Sequence, residues 1–195
     1  MMTPNKKKAE KLTKLPFEID VQQLLLHSRQ LKLVGVVTDK TVEPLIDQIR
    51  ALQIISDQPI SLWINSGGGY LTDGFALIDT MRMSRVPIIT IVQGQACSMA
   101  GLISVAGHRR FITENSRWMA HDIAAGGYDY GDKILARADA IRLWQKQCFD
   151  FLAANTKLTP KDLQYARNQE LWLDDKQCFE KGIVDGQIKL ERTSQ

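Results

Sequence analysis

The strongest constraint on the fold of this chain is the alternation of strand-like and helix-like segments along it. Apolar runs predict strands at 31–37 (LKLVGVV), 60–65 (ISLWIN) and 87–92 (PIITIV). Between them, apolar residues at helical spacing predict helices at 41–55 and 71–83. Strands that alternate with helices are typical of βαβ units, so we predict an α/β fold with a mostly parallel sheet.

The rest of the chain continues the mixture of helices and strands. Pro44 falls within the first turn of the helix predicted at 41–55, where proline is tolerated. The other predicted elements are a helix at 21–30 capped by Asp20, a helical segment at 98–106, strands at 110–113 and 117–120, a long helix from Asp129 or Asp132 to about Ala154, a helix after the capping box Thr159 to Asp162, and short elements at 171–173, 175–181 and 183–188.

Composition limits the function classes that the chain can belong to. A net charge of +3 is too small to indicate nucleic acid or an anionic membrane as a partner, and no apolar run reaches the roughly 18 residues of a membrane span. The lysine-rich start predicts a flexible basic tail at 1–16, followed by one domain at 17–195. Three cysteines without CxxC spacing, and no secretory signal, predict a cytoplasmic protein with reduced thiols.

Ser98 lies in a segment, 94–101 (GQACSMAG), where a predicted strand turns through small residues into a helix. In a parallel sheet, ligands collect at the carboxyl ends of strands. A hydroxyl at the start of a helix is favoured as a nucleophile, because the free N–H groups there, including that of Met99, stabilise negative charge. The alternative is that Ser98 simply caps a buried helix.

A second segment with chemical potential is 65–69 (NSGGG), which follows another predicted strand. Three glycines allow close approach to a ligand and leave their N–H groups open, so the loop is a candidate for a second oxyanion donor. A phosphate-binding P-loop is excluded, since Tyr70, Leu71 and Thr72 follow instead of Gly-Lys-Ser/Thr. A plain tight turn remains the alternative.

His121 ends the segment 118–122 (WMAHD) and is the best candidate for a general base. The other two histidines, His27 and His108, fall on a predicted surface helix and in a polar turn. Asp122 is a candidate to orient the imidazole. The alternatives are a core histidine and a surface aspartate.

Taken together, these segments resemble the Clp protease proteolytic-subunit family. The resemblance extends from about Leu31 to Ile188. The stretches that carry it are 64–69 (INSGGG), 79–81 (DTM), 94–99 (GQACSM), 115–121 (NSRWMAH), 126–128 (GGY) and 181–185 (KGIVD). The implied fold is the ClpP/crotonase superhelix of repeated ββα units with a long protruding helix.

The resemblance implies a serine endopeptidase that degrades unfolded proteins or peptides. It implies that Ser98 is the nucleophile, that His121 is the general base, and that the N–H groups of Gly69 and Met99 form the oxyanion hole. It also implies that Gly68, Gly126 and Gly127 bind the substrate peptide, which adds as a strand through main-chain hydrogen bonds.

The chain departs from the family pattern at three places. Gly67 replaces a proline, and the usual His-Gln-Pro becomes His121-Asp122-Ile123. The third member of the triad, an aspartate in the family, aligns with Glu170, whose longer side chain must be accommodated by the backbone. Asp122, Asp174 and Asp175 are nearby alternatives for this role.

The resemblance further implies self-association into heptameric rings, two of them stacked, around a closed chamber. The long helix fits the element that joins the rings, and its apolar stripe consists of Leu135, Ala138, Ile141, Trp144, Cys148 and Leu152. Core packing explains the same stripe. No nucleotide-binding motif is present, so ATP dependence implies a separate AAA+ unfoldase, and we predict no cofactor or metal.

Three alternative functions remain open. A catalytically weak ring subunit is favoured if Glu170 cannot orient His121. A crotonase-like acyl-CoA enzyme would share the fold, but its chemistry does not need an activated serine. A signal-peptide-peptidase-like enzyme would use lysine as its base and is usually attached to a membrane.

Overall fold

The computed structural model of the protein describes residues 20–125 and 130–189. The predicted N-terminal tail and the glycines Gly126 and Gly127 lie outside these ranges. The helices are α1 (Val21–His27), α2 (Asp39–Ile55), α3 (Leu71–Arg82), α4 (Met99–Val105), α5 (Gly131–Asn155), α6 (Pro160–Asn168) and α7 (Asp175–Glu180). The strands are β1 (Gln30–Val37), β2 (Ile60–Gly69), β3 (Ile88–Cys97), β4 (Arg109–Thr113), β5 (Arg117–Ala120), β6 (Leu171–Leu173) and β7 (Gly186–Ile188).

The strands form one mostly parallel sheet, which confirms the predicted fold class. Its main path runs β1-β2-β3-β4-β7, and every pair along this path is parallel. β5 leaves this path, since it pairs in parallel with β3 and in antiparallel with β6. The short β5–β6 pair therefore projects beside the end of β3.

Helices cover one face of the sheet and enclose the core. Alternate side chains of β2, such as Ile60, Leu62 and Ile64, are fully buried; α4 packs against β2, and α2 packs against β1 and α3. α2 contributes the five apolar positions that its sequence spacing predicts, Val42, Leu45, Ile46, Ile49 and Leu52, and all are buried. The opposite face of β1 exposes Val34 and Val36, so in a single chain the described helices leave that part of the sheet open.

The predicted end of β2 at Asn65 is wrong, because the strand continues through the glycine segment to Gly69. Gly68 and Gly69 pair with Val36 and Val37 of β1. A Cβ atom added at Gly69 would lie 2.2 Å from the carbonyl oxygen of Val37. The glycines thus allow close backbone contact between two strands, rather than forming a tight turn.

β3 is also longer than predicted, and it changes partner along its length. Its first half, Ile89 to Val92, pairs with β4, whereas its second half, Gln95 to Cys97, pairs with β5. The sequence hides the second half because the exposed Gln93, Gly94 and Gln95 interrupt its apolar pattern. We refer to this change of partner as the β3 fork.

Smaller differences concern the ends of elements. α2 begins at Asp39, because the N–H group of Thr38 is bound by the Thr41 hydroxyl at 3.0 Å, and Pro44 consequently falls in the second turn on an exposed position. α1 ends three residues earlier than predicted, at His27. The last strand is limited to Gly186–Ile188.

α5 is anchored to the core by its C-terminal half. Cys148, Phe149 and Leu152 are buried, and the indole of Trp144 stacks on Phe75 with 5.5 Å between ring centroids. The N-terminal half carries Leu135, which is 67% exposed. Among the described helices, none combines the length and the apolar character that crossing a membrane requires.

Candidate active site

Ser98 occupies a sharp turn between β3 and α4, which we call the Ser98 elbow (residues 97–99). Its backbone has φ 53° and ψ −126°, a region that L-residues rarely adopt. Its N–H group donates to the carbonyl oxygen of Met119 on β5 at 2.9 Å. Ser98 occupies the N-cap position of α4, but within the described residues its hydroxyl makes no capping hydrogen bond to the helix. A strained residue with a free hydroxyl at a strand–helix turn is typical of a catalytic serine.

The glycine end of β2 packs directly against this elbow. A Cβ atom added at Gly68 would lie 2.7 Å from Cβ of Ser98 and 3.0 Å from the backbone nitrogen of Met99. The N–H group of Gly68 donates to Oγ of Ser66 at 3.1 Å, and that hydroxyl donates to Gly35 at 2.5 Å. Met99 is the first residue of α4, so its N–H group has no intrahelical acceptor.

A cleft of about 530 Å³ opens beside the elbow, between the end of β5 and helix α5. It brings together Ser98 and His121, with Gly69 and Met99 also in its wall. The other lining residues are Gly67, Tyr70, Leu71, Thr72, Leu102, Ala120, Asp122, Ile123, Ala124, Ala125, Ile141, Trp144, Cys148, Phe149 and Leu152. We call this space the Ser98 cleft.

The lining of this cleft includes residues that sequence reasoning assigned to another role. Ile141, Trp144, Cys148 and Leu152 belong to the apolar stripe of α5, which we interpreted as a ring contact or as ordinary core. Their helical spacing shows that they share a face. It does not reveal that this face closes a cleft beside Ser98.

His121 follows β5 and is half-buried in the cleft wall. Among the described residues, no hydrogen bond joins its ring to the Ser98 hydroxyl. The antiparallel register ends with Ala120 opposite Leu171, so His121 directly follows and Glu170 directly precedes this last pair. Both residues therefore lie at the same end of the β5–β6 pair.

The carboxylate of Glu170 is exposed and accepts a hydrogen bond from Nε1 of Trp172 at 2.8 Å. The two residues are two apart along an extended segment, which explains why they meet. Sequence reasoning missed Trp172, although its spacing from Glu170 is the signal that could have revealed it. Burial, and secondarily the charge of Glu170, raise the pKa of the Cys97 thiol, so this charge acts next to the Ser98 elbow.

The alternative carboxylates have other partners. Asp122 accepts from the N–H group of Ile123 at 2.7 Å and from Nε2 of Gln145 at 2.6 Å. Asp174 caps α7, and Asp175 is buried and accepts from Gln187 at 2.9 Å. Within the described ranges, none of these three carboxylates bonds to His121. No three His, Cys, Asp or Glu side chains converge there in a way that could hold a metal ion.

Comparison with known families is consistent with this geometry. The Clp protease family model matches residues 14–191 of the 195 residues. The match includes β2, the Ser98 elbow, β5, α5 and the β5–β6 pair, and so covers every described element that borders the cleft. The chain therefore belongs to the Clp protease family, a family of peptidases.

Proposed function

We propose that the protein is a serine endopeptidase that cleaves unfolded proteins or peptides, with Ser98 as nucleophile and His121 as general base. The observation that carries the proposal is the strained Ser98 elbow, whose free hydroxyl opens into the same cleft as His121. Among the described residues, neither side chain has a hydrogen-bond partner. A strained backbone maintained at a cleft is more readily explained by catalysis than by packing.

In the proposed reaction, Oγ of Ser98 attacks the carbonyl carbon of the scissile bond while His121 takes the hydroxyl proton. The N–H groups of Gly69 and Met99 donate to the resulting oxyanion. The tetrahedral intermediate collapses as protonated His121 gives its proton to the leaving amine. Water, deprotonated by His121, then hydrolyses the acyl-enzyme and restores the serine.

Glu170 is the proposed third member of the triad. Its position at the same end of the β5–β6 pair as His121 supports this role, since a carboxylate near the imidazole can fix the imidazole tautomer and stabilise its charged form. In the structure the carboxylate binds Trp172 instead. The proposal therefore requires that Glu170 releases Trp172 and turns toward His121.

Gly68, Gly126 and Gly127 are the proposed substrate-binding positions. The contribution of Gly68 is steric: its N–H group is already bound to Ser66, and a side chain there would collide with Ser98. For Gly126 and Gly127, which lie outside the described residues, the proposal rests on the family resemblance alone. A peptide added as a strand would bind mainly through its backbone and so tolerate many sequences.

We further propose heptameric rings stacked in pairs, a separate AAA+ unfoldase as the source of ATP dependence, and a cytoplasmic location. Exposed apolar side chains on the first half of α5, including Leu135, support self-association. The three cysteines are buried and unpaired, as expected in a reducing compartment. Light scattering tests the assembly, because a stable particle of one 22.0 kDa chain would contradict the ring.

Labelling with a fluorophosphonate probe tests the peptidase proposal. The full-length protein should be labelled, and the Ser98→Ala variant should not. Ser28→Ala is a matched control, because Ser28 is exposed at the end of α1, and this variant should be labelled like the wild type. Equal labelling of the Ser98→Ala variant and the wild type would refute the assignment of the nucleophile.

One observation favours a second candidate, a catalytically weak ring subunit. Glu170 binds Trp172, and His121 makes no hydrogen bond to Ser98 among the described residues. A subunit of this kind would assemble but react slowly with the probe. Wild-type protein that forms rings and remains unlabelled would support this second function over the first.

A further inference from the structure

The Ser98 cleft has an apolar wall with one carboxylate in it. Leu71, Leu102, Trp144 and Leu152 contribute aliphatic and aromatic surface, whereas Asp122 is the single Asp or Glu among the lining residues of the described chain. An apolar cleft alone would favour apolar substrate side chains. The carboxylate changes the chemistry that the cleft can recognise.

The partners of Asp122 leave its charge uncompensated. Its two oxygens accept from the N–H group of Ile123 and from the side-chain amide of Gln145, and both donors are neutral. Within the described residues, no lysine, arginine or histidine forms an ion pair with it. A carboxylate has about four acceptor positions, so capacity remains for a charged donor.

The charge of Asp122 also acts on another residue that lines the cleft, Cys148. Cys148, which lines the same cleft on α5, is buried, and burial together with the charge of Asp122 raises the pKa of its thiol to about 11. Burial disfavours a charge of either sign, whereas the charge of Asp122 disfavours a negative charge and favours a positive one, so Asp122 supplies the preference for a cation. Because water has limited access to the cleft, the attraction between Asp122 and a cation is stronger there than at a carboxylate on the surface.

We propose that the Ser98 cleft selects a lysine or arginine side chain at P1, the substrate residue before the scissile bond, with Asp122 as the specificity-determining residue. The aliphatic stem would pack on Leu71 and Trp144, and the cationic end would bind the carboxylate. This inference rests on the proposed peptidase function, since the cleft is the space next to the Ser98 hydroxyl.

Fluorogenic peptides that differ only at P1 test the proposal, with lysine compared with norleucine, which has a similar stem but no charge. The full-length protein should cleave the lysine peptide with the higher kcat/KM. Asp122→Asn should lower the lysine-to-norleucine ratio by about tenfold, the size expected from losing a charge-assisted hydrogen bond. Asp139→Asn is the matched control, because Asp139 is an exposed α5 carboxylate paired with Arg142, and it should leave the ratio unchanged.

A measurement on the wild-type protein tests the proposal even if the Asp122→Asn variant does not fold. KM for the lysine peptide should rise with sodium chloride concentration, while KM for the norleucine peptide should not, because salt screens only the charged contact. Faster cleavage of the norleucine peptide by the wild type, or an unchanged ratio in a folded Asp122→Asn variant, would overturn the selectivity while leaving peptidase function intact. Cleavage of neither peptide, without fluorophosphonate labelling, would overturn both proposals.

Discussion

The hydrogen bond between Trp172 and Glu170 gives the sharpest test of the proposed triad. If Glu170 serves His121, the indole competes with the imidazole for the same carboxylate. Trp172→Phe keeps the aromatic ring and removes the N–H donor, so it should release Glu170 toward His121. We expect the rate of fluorophosphonate labelling to rise in this variant.

The size of the increase follows from the exposure of the contact. A hydrogen bond to a charged group contributes about 1.5–3 kcal/mol, but here the carboxylate is exposed and Trp172 is 46% exposed. Solvent competition reduces the contribution to about 1 kcal/mol. At RT of about 0.59 kcal/mol, this loss changes the ratio of released Glu170 to Glu170 bound to Trp172 about fivefold. That factor is the upper limit of the increase in labelling rate.

Two further variants complete the assay. Glu170→Gln should lower the labelling rate at least about tenfold, and adding Trp172→Phe to it should produce no gain, because the released group is no longer a carboxylate. Trp63→Phe is the matched control, since the buried indole nitrogen of Trp63 has no hydrogen-bond partner among the described residues and Trp63 does not line the cleft. Wild-type labelling rates in both Trp172→Phe and Glu170→Gln would refute the reasoning and remove Glu170 from the triad.

Other predictions concern packing, pH and assembly. Gly68→Ala should lower the unfolding free energy by about 2 kcal/mol or more and slow labelling, because the φ of Gly68 is 97° and the added Cβ would collide with the Ser98 elbow. Thermal denaturation measures the loss, and Gly131→Ala is the control, because a Cβ added at Gly131 meets no atom within 4 Å. The hydrogen bond from Lys181 lowers the pKa of Asp162 to about 2, so urea titrations should show stability lost as pH falls from about 4 toward 2, and Lys181→Met should flatten that slope. Leu135→Glu should reduce the particle mass in sedimentation, and an unchanged mass would exclude this position from the ring contact.

The sequence predicts best those features that short local patterns define. The bounds of β5 and β6 match the predicted ones, and the capping box that starts α6 is formed as predicted, with Asp162 bound to both the N–H and the hydroxyl of Thr159. These features depend on neighbouring residues only. Local patterns therefore suffice for them.

The ends of β2 and β3 are predicted poorly because their residues lack an informative side-chain pattern. Gly68 and Gly69 extend as a strand because β1 accepts them at close range, which depends on contacts distant in sequence. The same limit applies at the site. The resemblance indicates Ser98 and His121, but the closure of the cleft beside them by α5 depends on contacts distant in sequence.

The β3 fork explains how these separate residues reach one cleft. At the fork, the buried hydroxyl of Ser116 accepts from the N–H group of Gly94 at 2.8 Å, and this contact lies where β3 leaves β4 and joins β5. From there, β3 and β5 run in parallel to Ser98 and His121, and the hydrogen bond from Ser98 to Met119 fixes their relative position. β6 begins at Leu171, opposite the last residue of β5, so Glu170 lies at the same end of the β5–β6 pair as His121. The positions of Ser98, His121 and Glu170 therefore depend on how β3, β5 and β6 pair. Ser116→Ala should lower the rate of fluorophosphonate labelling, although Ser116 touches none of these three residues.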